Sequence, residues 1–124
     1  MADAYRHVVV RTMPAVVVAM PAEIDARNAP GLGKGLASAL SPGAVLIIDM
    51  SGTVFCDSSG IRMLAVAHRQ ATGRDTEVRL VVTSPAVLAV LSLMGVDRLL
   101  RVHTSLDEAL TATSPDQVWP PGDR

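Results

Sequence analysis

AVLIIDMSGTVFCDSSGIRMLAVAHRQAT, residues 44–72, carries the reading of the fold. Residues 44–50 form a continuous apolar run, interrupted only by Asp49, and read as a buried strand. Residues 61–72 place apolar side chains at helical spacing and read as a helix. Between them stands Asp57-Ser58-Ser59-Gly60, two hydroxyls at the mouth of that helix. Unpaired backbone N–H groups and the positive end of the dipole favour an anion there. A serine in this position is either an N-cap, worth about 1 kcal/mol, or a phosphorylation site whose product phosphate the helix end stabilises.

Working outward, the same alternation recurs. A short strand around Val8-Val9-Val10 is broken by Met13-Pro14, and AVVVAM (15–20) follows, close enough for an antiparallel hairpin. PAEIDAR (21–27) reads as a loop carrying Glu23 and Asp25. Asn28 reads as the N-cap of a first helix running to about Leu40, and Ser41-Pro42-Gly43 ends it. Downstream of residue 72, Gly73 closes the second helix. EVRLVV (77–82) alternates and predicts a fourth strand. Ser84-Pro85 opens a third helix that Gly95 ends. Residues 99–102 predict a fifth strand, and Ser105 with Glu108 makes a capping box for a helix over 106–113. The order β-β-α-β-α-β-α-β-α implies an α/β fold: a mixed, mostly parallel sheet of four or five strands packed with about four helices. One domain over 1–113 and a Pro-rich, loose tail over 114–124 are expected. Trp119 in that tail reads as a surface residue without a functional role.

Composition narrows the function. Hydrophobic residues are 49% of the chain and aromatics 2%, so stacking platforms for single-stranded nucleic acid are not to be expected. Net charge is −1 with mixed signs, which offers no electrostatic footprint for nucleic acid or an anionic membrane. The single Cys excludes an intrachain disulfide and any cysteine-rich metal cluster. No apolar run approaches the roughly 18–20 residues of a membrane span, and no signal peptide is read at the start. A cytoplasmic protein is expected.

Enzymatic constellations are weak. The histidines are His7, His68 and His103, none near Ser58 in sequence, and no G-x-S-x-G elbow surrounds the serine pair. His68 reads as a half-buried packing residue, and His7 and His103 as solvated residues at strand ends. Gly31-Leu32-Gly33-Lys34-Gly35 lacks a Ser or Thr after the Lys and reads as part of a glycine-weakened helix. Asp49 with Asp57 or Asp25 is a thin basis for a metal, so no metal or cofactor is expected. Cys56 reads as a small buried hydrophobe.

Strands feeding helices place chemistry at their carboxyl ends. There Glu23, Asp25, Asp49 and Asp57 would make a mildly acidic face around Ser58, suited to a basic partner surface. The chain resembles the anti-sigma factor antagonists of bacteria, which are single STAS domains. The resemblance covers about residues 8–112. It is carried by Val45–Met50 leading through Val54-Phe55-Cys56 into Asp57-Ser58-Ser59-Gly60-Ile61, by Ala22-Glu23-Ile24-Asp25, and by Ser84-Pro85-Ala86-Val87. Residues Met94 to Leu100 and Asp107-Glu108-Ala109-Leu110 extend it.

What the resemblance implies is a protein–protein switch. Ser58 is implied as the phosphate acceptor, and an anti-sigma factor that is itself a serine kinase as partner and phosphate donor. The unphosphorylated form binds that kinase and frees the sigma factor, and a metal-dependent serine phosphatase reverses the modification. The chain is then a substrate rather than an enzyme. Asp57, Ser59 and Gly60 would support the phosphosite, with Ser59 as N-cap and Gly60 giving the kinase close access to the backbone. Glu23, Asp25, Asp49, Ile61 and Arg62 would contact the partner. Two departures stand out. Ala22, preceded by Pro21, replaces the usual Gly, which predicts an altered turn. Arg62 stands where many members carry Gly, a long cation one turn from Ser58. The alternative is an unphosphorylated STAS scaffold that binds a transporter ATPase, a sensor complex or a small ligand, with Ser58 a plain N-cap.

Overall fold

The computed structural model describes residues 5–10 and 13–112, with side chains from Pro14 onward. The N-terminal tetrapeptide, the side chain of His7 and the tail with Trp119 therefore lie outside the described residues. In chain order the strands are β1 (Tyr5–Val10), β2 (Met13–Ala19), β3 (Glu23–Ile24), β4 (Val45–Met50), β5 (Phe55–Cys56), β6 (Glu77–Val82) and β7 (Arg101–His103). The helices are α1 (Ala29–Ala39), α2 (Ser58–Thr72), α3 (Pro85–Leu93) and α4 (Leu106–Thr111), with a 3₁₀ turn over Val96–Arg98.

The main sheet has the order β1-β2-β4-β6-β7. β1 and β2 form the expected antiparallel hairpin, with Val10 opposite Met13. Each later neighbour is parallel: Val17 pairs with Ile47, Ile48 with Leu80, and Leu80 with Val102. β4 is central, which is why its apolar run has almost no polar position. Strand alternation then divides its side chains between two cores. Leu46, Ile48 and Met50 join Val16, Val18, Leu80 and Val82 under α1, α2 and α3, where Leu36, Leu64 and Leu91 close the layer. Val45 and Ile47 join Ala15, Val17 and Val81 under α4, packed by Ala109, Leu106 and Leu110.

The departures from the sequence reading have local causes. Helix α2 begins at Ser58, three residues before the apolar run, because Asp57 is the N-cap. Its Oδ1 accepts from the backbone N–H of Ser59 at 2.8 Å and of Gly60 at 3.3 Å. Neither Ser58 nor Ser59 caps the helix. The last strand is Arg101–His103 rather than 99–102, because the 3₁₀ turn after Gly95 holds Val96–Arg98 and bonds the Leu99 and Leu100 amides back to Val96. Gly95 reverses the chain with φ +80°. Gly73 ends α2 where expected, but with φ −74°; the left-handed residue is Asp75, at φ +53°. Asn28 stands before α1 without capping it by its side chain, which instead ties the preceding loop.

β6 is not a half-solvated strand. Arg79 points to the α4 side and is wholly buried. Its guanidinium donates to both oxygens of Glu77, at 2.9 and 3.4 Å, and to the carbonyl of Ala109. A buried cation is tolerated only when it is paired and hydrogen-bonded in this way. The capping box of α4 is altered too. Ser105 Oγ accepts from the Glu108 amide at 3.0 Å, while the Glu108 carboxylate accepts from the Thr104 amide at 2.9 Å.

Candidate functional site

The loops after β2 and β4, read from the sequence as separate, are joined. Their two-residue strands β3 and β5 pair in parallel, Glu23 with Phe55 and Ile24 with Cys56. The Ala22 carbonyl accepts from the Val54 amide at 2.8 Å and from Phe55 at 3.3 Å, and the Ile24 carbonyl from Asp57 at 3.1 Å. Buried Thr53 adds a hydroxyl bond to the Pro21 carbonyl at 2.8 Å. Ala22 accomplishes this without a left-handed backbone, so the Gly-to-Ala departure does not strain the turn. Asp25 lies in a tight array of its own. It receives the Arg27 amide at 2.9 Å and ion-pairs the Arg27 guanidinium at 2.9 Å. Asn28 bridges the loop by accepting from the Asp25 amide and donating to the Glu23 carbonyl. Hydrogen bonding from Arg27 holds the Asp25 carboxyl below its usual range.

Ser58 occupies the first turn of α2, exposed, and its hydroxyl has no hydrogen-bond partner among the described residues. Asp57, half-buried behind it, already takes the Ser59 and Gly60 amides. A phosphate on Ser58 would therefore find two of the helix-end donors engaged by a carboxylate. The cation within reach is Arg62, exposed and four residues on, on the same helical face.

Gly60 and Ile61 face inward. A Cβ at Gly60 would lie 2.8 Å from Ile24 Cγ2 and inside contact distance of Cys56 Sγ. Gly60 thus lets α2 seat on β3 and β5, and it is buried there rather than standing open at the surface. Ile61 is 5% exposed and serves the core, not a contact surface. Asp49 is half-buried at the end of β4, and its carboxylate turns back to accept from the Ser51 amide at 3.0 Å. Glu23, Asp25, Asp57 and Ser58 are thus brought together on one rim, while Asp49 bonds within its own turn. Cys56 is buried as expected; desolvation, then the Asp57 charge, pushes its thiol up to about 11.

Two features were not legible beforehand. Val54 and Phe55 are exposed at 61% and 50%, giving the acidic rim an apolar edge beside Ser58. Their apolar character had suggested only an approach to the motif. His103 is buried rather than solvated: its Nδ1 is 3.5 Å from Glu108 Oε1, and its Nε2 has no hydrogen-bond partner among the described residues. Among the described residues no group of three or more His, Cys, Asp or Glu side chains is placed to hold a metal, and no helix is long and apolar enough to cross a membrane.

Comparison with known proteins agrees with this geometry. The STAS domain family matches residues 6–109. The anti-sigma-F factor antagonist RsfB of Mycobacterium tuberculosis is 28% identical over 103 residues, 82% of this chain and 84% of that protein. The crystal structure of an anti-sigma factor antagonist from Mycobacterium paratuberculosis superposes with a TM-score of 0.71 at 26% identity, covering 89% of this chain and 94% of that one. The unphosphorylated form of the Bacillus cell-fate determinant SpoIIAA superposes at 0.66 and 22% identity, covering 86% and 93%.

Proposed function

The chain belongs to the STAS domain family, and we propose that it is an anti-sigma factor antagonist switched by phosphorylation of Ser58. In this reading the unphosphorylated form docks on an anti-sigma factor serine kinase through the rim of Glu23, Asp25, Val54, Phe55 and Arg62, and the sigma factor is freed. The kinase moves the γ-phosphoryl group of ATP onto Ser58 Oγ. The new P–O bond replaces the bond to ADP, and the hydroxyl proton passes to a base on the kinase. A metal-dependent serine phosphatase hydrolyses the ester and restores the antagonist. The chain is a substrate in both steps. It needs no cofactor, contacts no nucleic acid or membrane, and works in the cytoplasm.

The observation that carries this reading is the exposed hydroxyl of Ser58, without a hydrogen-bond partner among the described residues, on the β3–β5 rim with the exposed Val54 and Phe55 and the acidic Glu23, Asp25 and Asp57. The names of the relatives agree with it, and SpoIIAA is known in phosphorylated and unphosphorylated forms. Phosphate brings about −1.5 to −2 charge onto a rim that already holds Glu23, Asp25 and Asp57. A penalty of about 3 kcal/mol in a closed interface weakens binding more than a hundredfold. The fold need not change, because Ser58 is exposed and its hydroxyl has no hydrogen-bond partner among the described residues.

The test is capture of the cognate kinase by wild type, Ser58→Ala and Ser58→Asp, with phosphate mapped by mass spectrometry after incubation with kinase and ATP. Expected are phosphate on Ser58 alone, retention of capture by Ser58→Ala and loss by Ser58→Asp. Equal capture by the two variants would overturn the switch.

A further inference from the structure

Arg62 stands one helical turn after Ser58 on α2, and both are exposed. Side chains four residues apart on a helix are neighbours. A long helical side chain also leans back toward the N-terminus, over the turn that precedes it. The guanidinium of Arg62 is therefore carried toward the Ser58 hydroxyl rather than away from it. Among the described residues Arg62 forms no ion pair, whereas Arg27 is paired with Asp25, and Arg79 and Arg101 with Glu77. Lys34 belongs to α1 and lies across the groove that Ser59 and Arg62 line from α2. Arg62 is thus the cation on Ser58's own helix that is within reach and uncommitted.

A phosphate at a helix N-terminus ordinarily takes the backbone amides there. Here the Asp57 carboxylate already accepts from the Ser59 and Gly60 amides, and its charge opposes a second anion. Glu23 and Asp25 on the same rim oppose it too. A phosphate on Ser58 needs a donor elsewhere, and the planar guanidinium fork matches two of its oxygens at once.

We propose that Arg62 clamps the phosphate of phosphorylated Ser58 and so slows its removal. The inference rests on the antagonist reading in taking Ser58 as the residue modified, and adds to it what holds the modified state. In hydrolysis water attacks phosphorus, the bond from phosphorus to Ser58 Oγ breaks, Oγ takes a proton and inorganic phosphate leaves. A phosphatase must first take hold of the phosphate oxygens. Oxygens engaged by Arg62 have to be released before it can.

The test uses the full chain with phosphoserine installed at position 58 during synthesis, as wild type, Arg62→Gln, Arg62→Lys and Arg69→Gln. Arg69 is exposed in the last turn of the same helix and serves as the control. Phosphorus-31 resonance is followed against pH. The contact favours the dianion, so the second phosphate pKa in wild type should lie about 0.3–0.7 of a unit below that in Arg62→Gln. Arg62→Lys should fall between them, and Arg69→Gln should match wild type. The Arg62 Nε–H resonance should shift on phosphorylation. Alkaline phosphatase, a probe that owes nothing to a cognate interface, should release phosphate at least threefold faster from Arg62→Gln than from wild type. The proposal is overturned by equal phosphate pKa values in wild type and Arg62→Gln, by an unmoved Arg62 resonance, or by equal rates of release. Since the phosphate is placed by synthesis, the contact is measured whether or not a kinase modifies Ser58, so its failure and that of the antagonist reading are distinct.

Discussion

Replacing Gly60 by Ala should destabilise the domain although it adds a good helix former to a helix. The added Cβ would stand 2.8 Å from Ile24 Cγ2, 3.4 Å from Ile24 Cβ and against Cys56 Sγ. Ile24 is 0% and Cys56 4% exposed, so neither can swing into solvent. Relief must come from lifting β3 and β5 off α2. Overpacking of this kind costs about 1–3 kcal/mol, against a gain of up to about 1 kcal/mol in helix propensity. The net expectation is a loss of about 1–2 kcal/mol, or a fall in Tm of about 4–8 °C. Gly33→Ala is the control: its Cβ meets only Met63 Cγ, at an ordinary 3.5 Å, so stability should hold or rise. Urea denaturation of the two variants gives opposite signs if the packing argument holds. Shortening the obstacle with Cys56→Ala should also reduce the cost of Gly60→Ala, a coupling a double-mutant cycle measures. A Gly60→Ala protein as stable as wild type would refute the reasoning.

Asp57→Ala removes the α2 cap and should cost about 1 kcal/mol, while Asp57→Asn keeps most of it; urea midpoints decide. The Cys56 thiol, pushed up to about 11, should resist iodoacetamide in the folded protein at mildly alkaline pH and react once denatured; rapid native labelling would contradict its burial. Desolvation first, then the Arg101 charge, lowers the His103 pKa from 6.5 against an opposing pull from Glu108. The unfolded chain then takes up the proton more readily. Stability should therefore be flat above about pH 6.5 and fall as pH drops through the folded value, with that part of the slope absent in His103→Leu.

Residues 44–50 were legible because a central strand has almost no polar position to confuse the pattern. The start of α2 was less so. Asp57, Ser58 and Ser59 are all good caps, and only the backbone angles choose among them; Asp57 is extended at φ −93°, ψ −172°. β3 and β5 have two residues each, too few for periodicity, and their pairing depends on two loops distant in sequence. Arg79 and His103 look like solvent-facing positions until α4 closes over them with Ala109 and Glu108. That cover is tertiary and leaves no local mark. The proposed site was read from Ser58 and its acidic loop, while the inward-facing places of Gly60 and Ile61 were not read because a helix's first turn does not announce which side faces the core.

The β3–β5 pairing also bears on how the proposed docking would be driven. Two loops that met a partner separately would each lose conformational freedom at the moment of contact. Here that loss is incurred when the domain folds, because Ala22, Ile24 and Thr53 already fix both loops to one another. A rim ordered in advance spares association this entropic cost. Capture should then carry a small unfavourable ordering entropy, and loosening the clasp with Thr53→Val should weaken binding through entropy even though Thr53 is itself buried away from any partner.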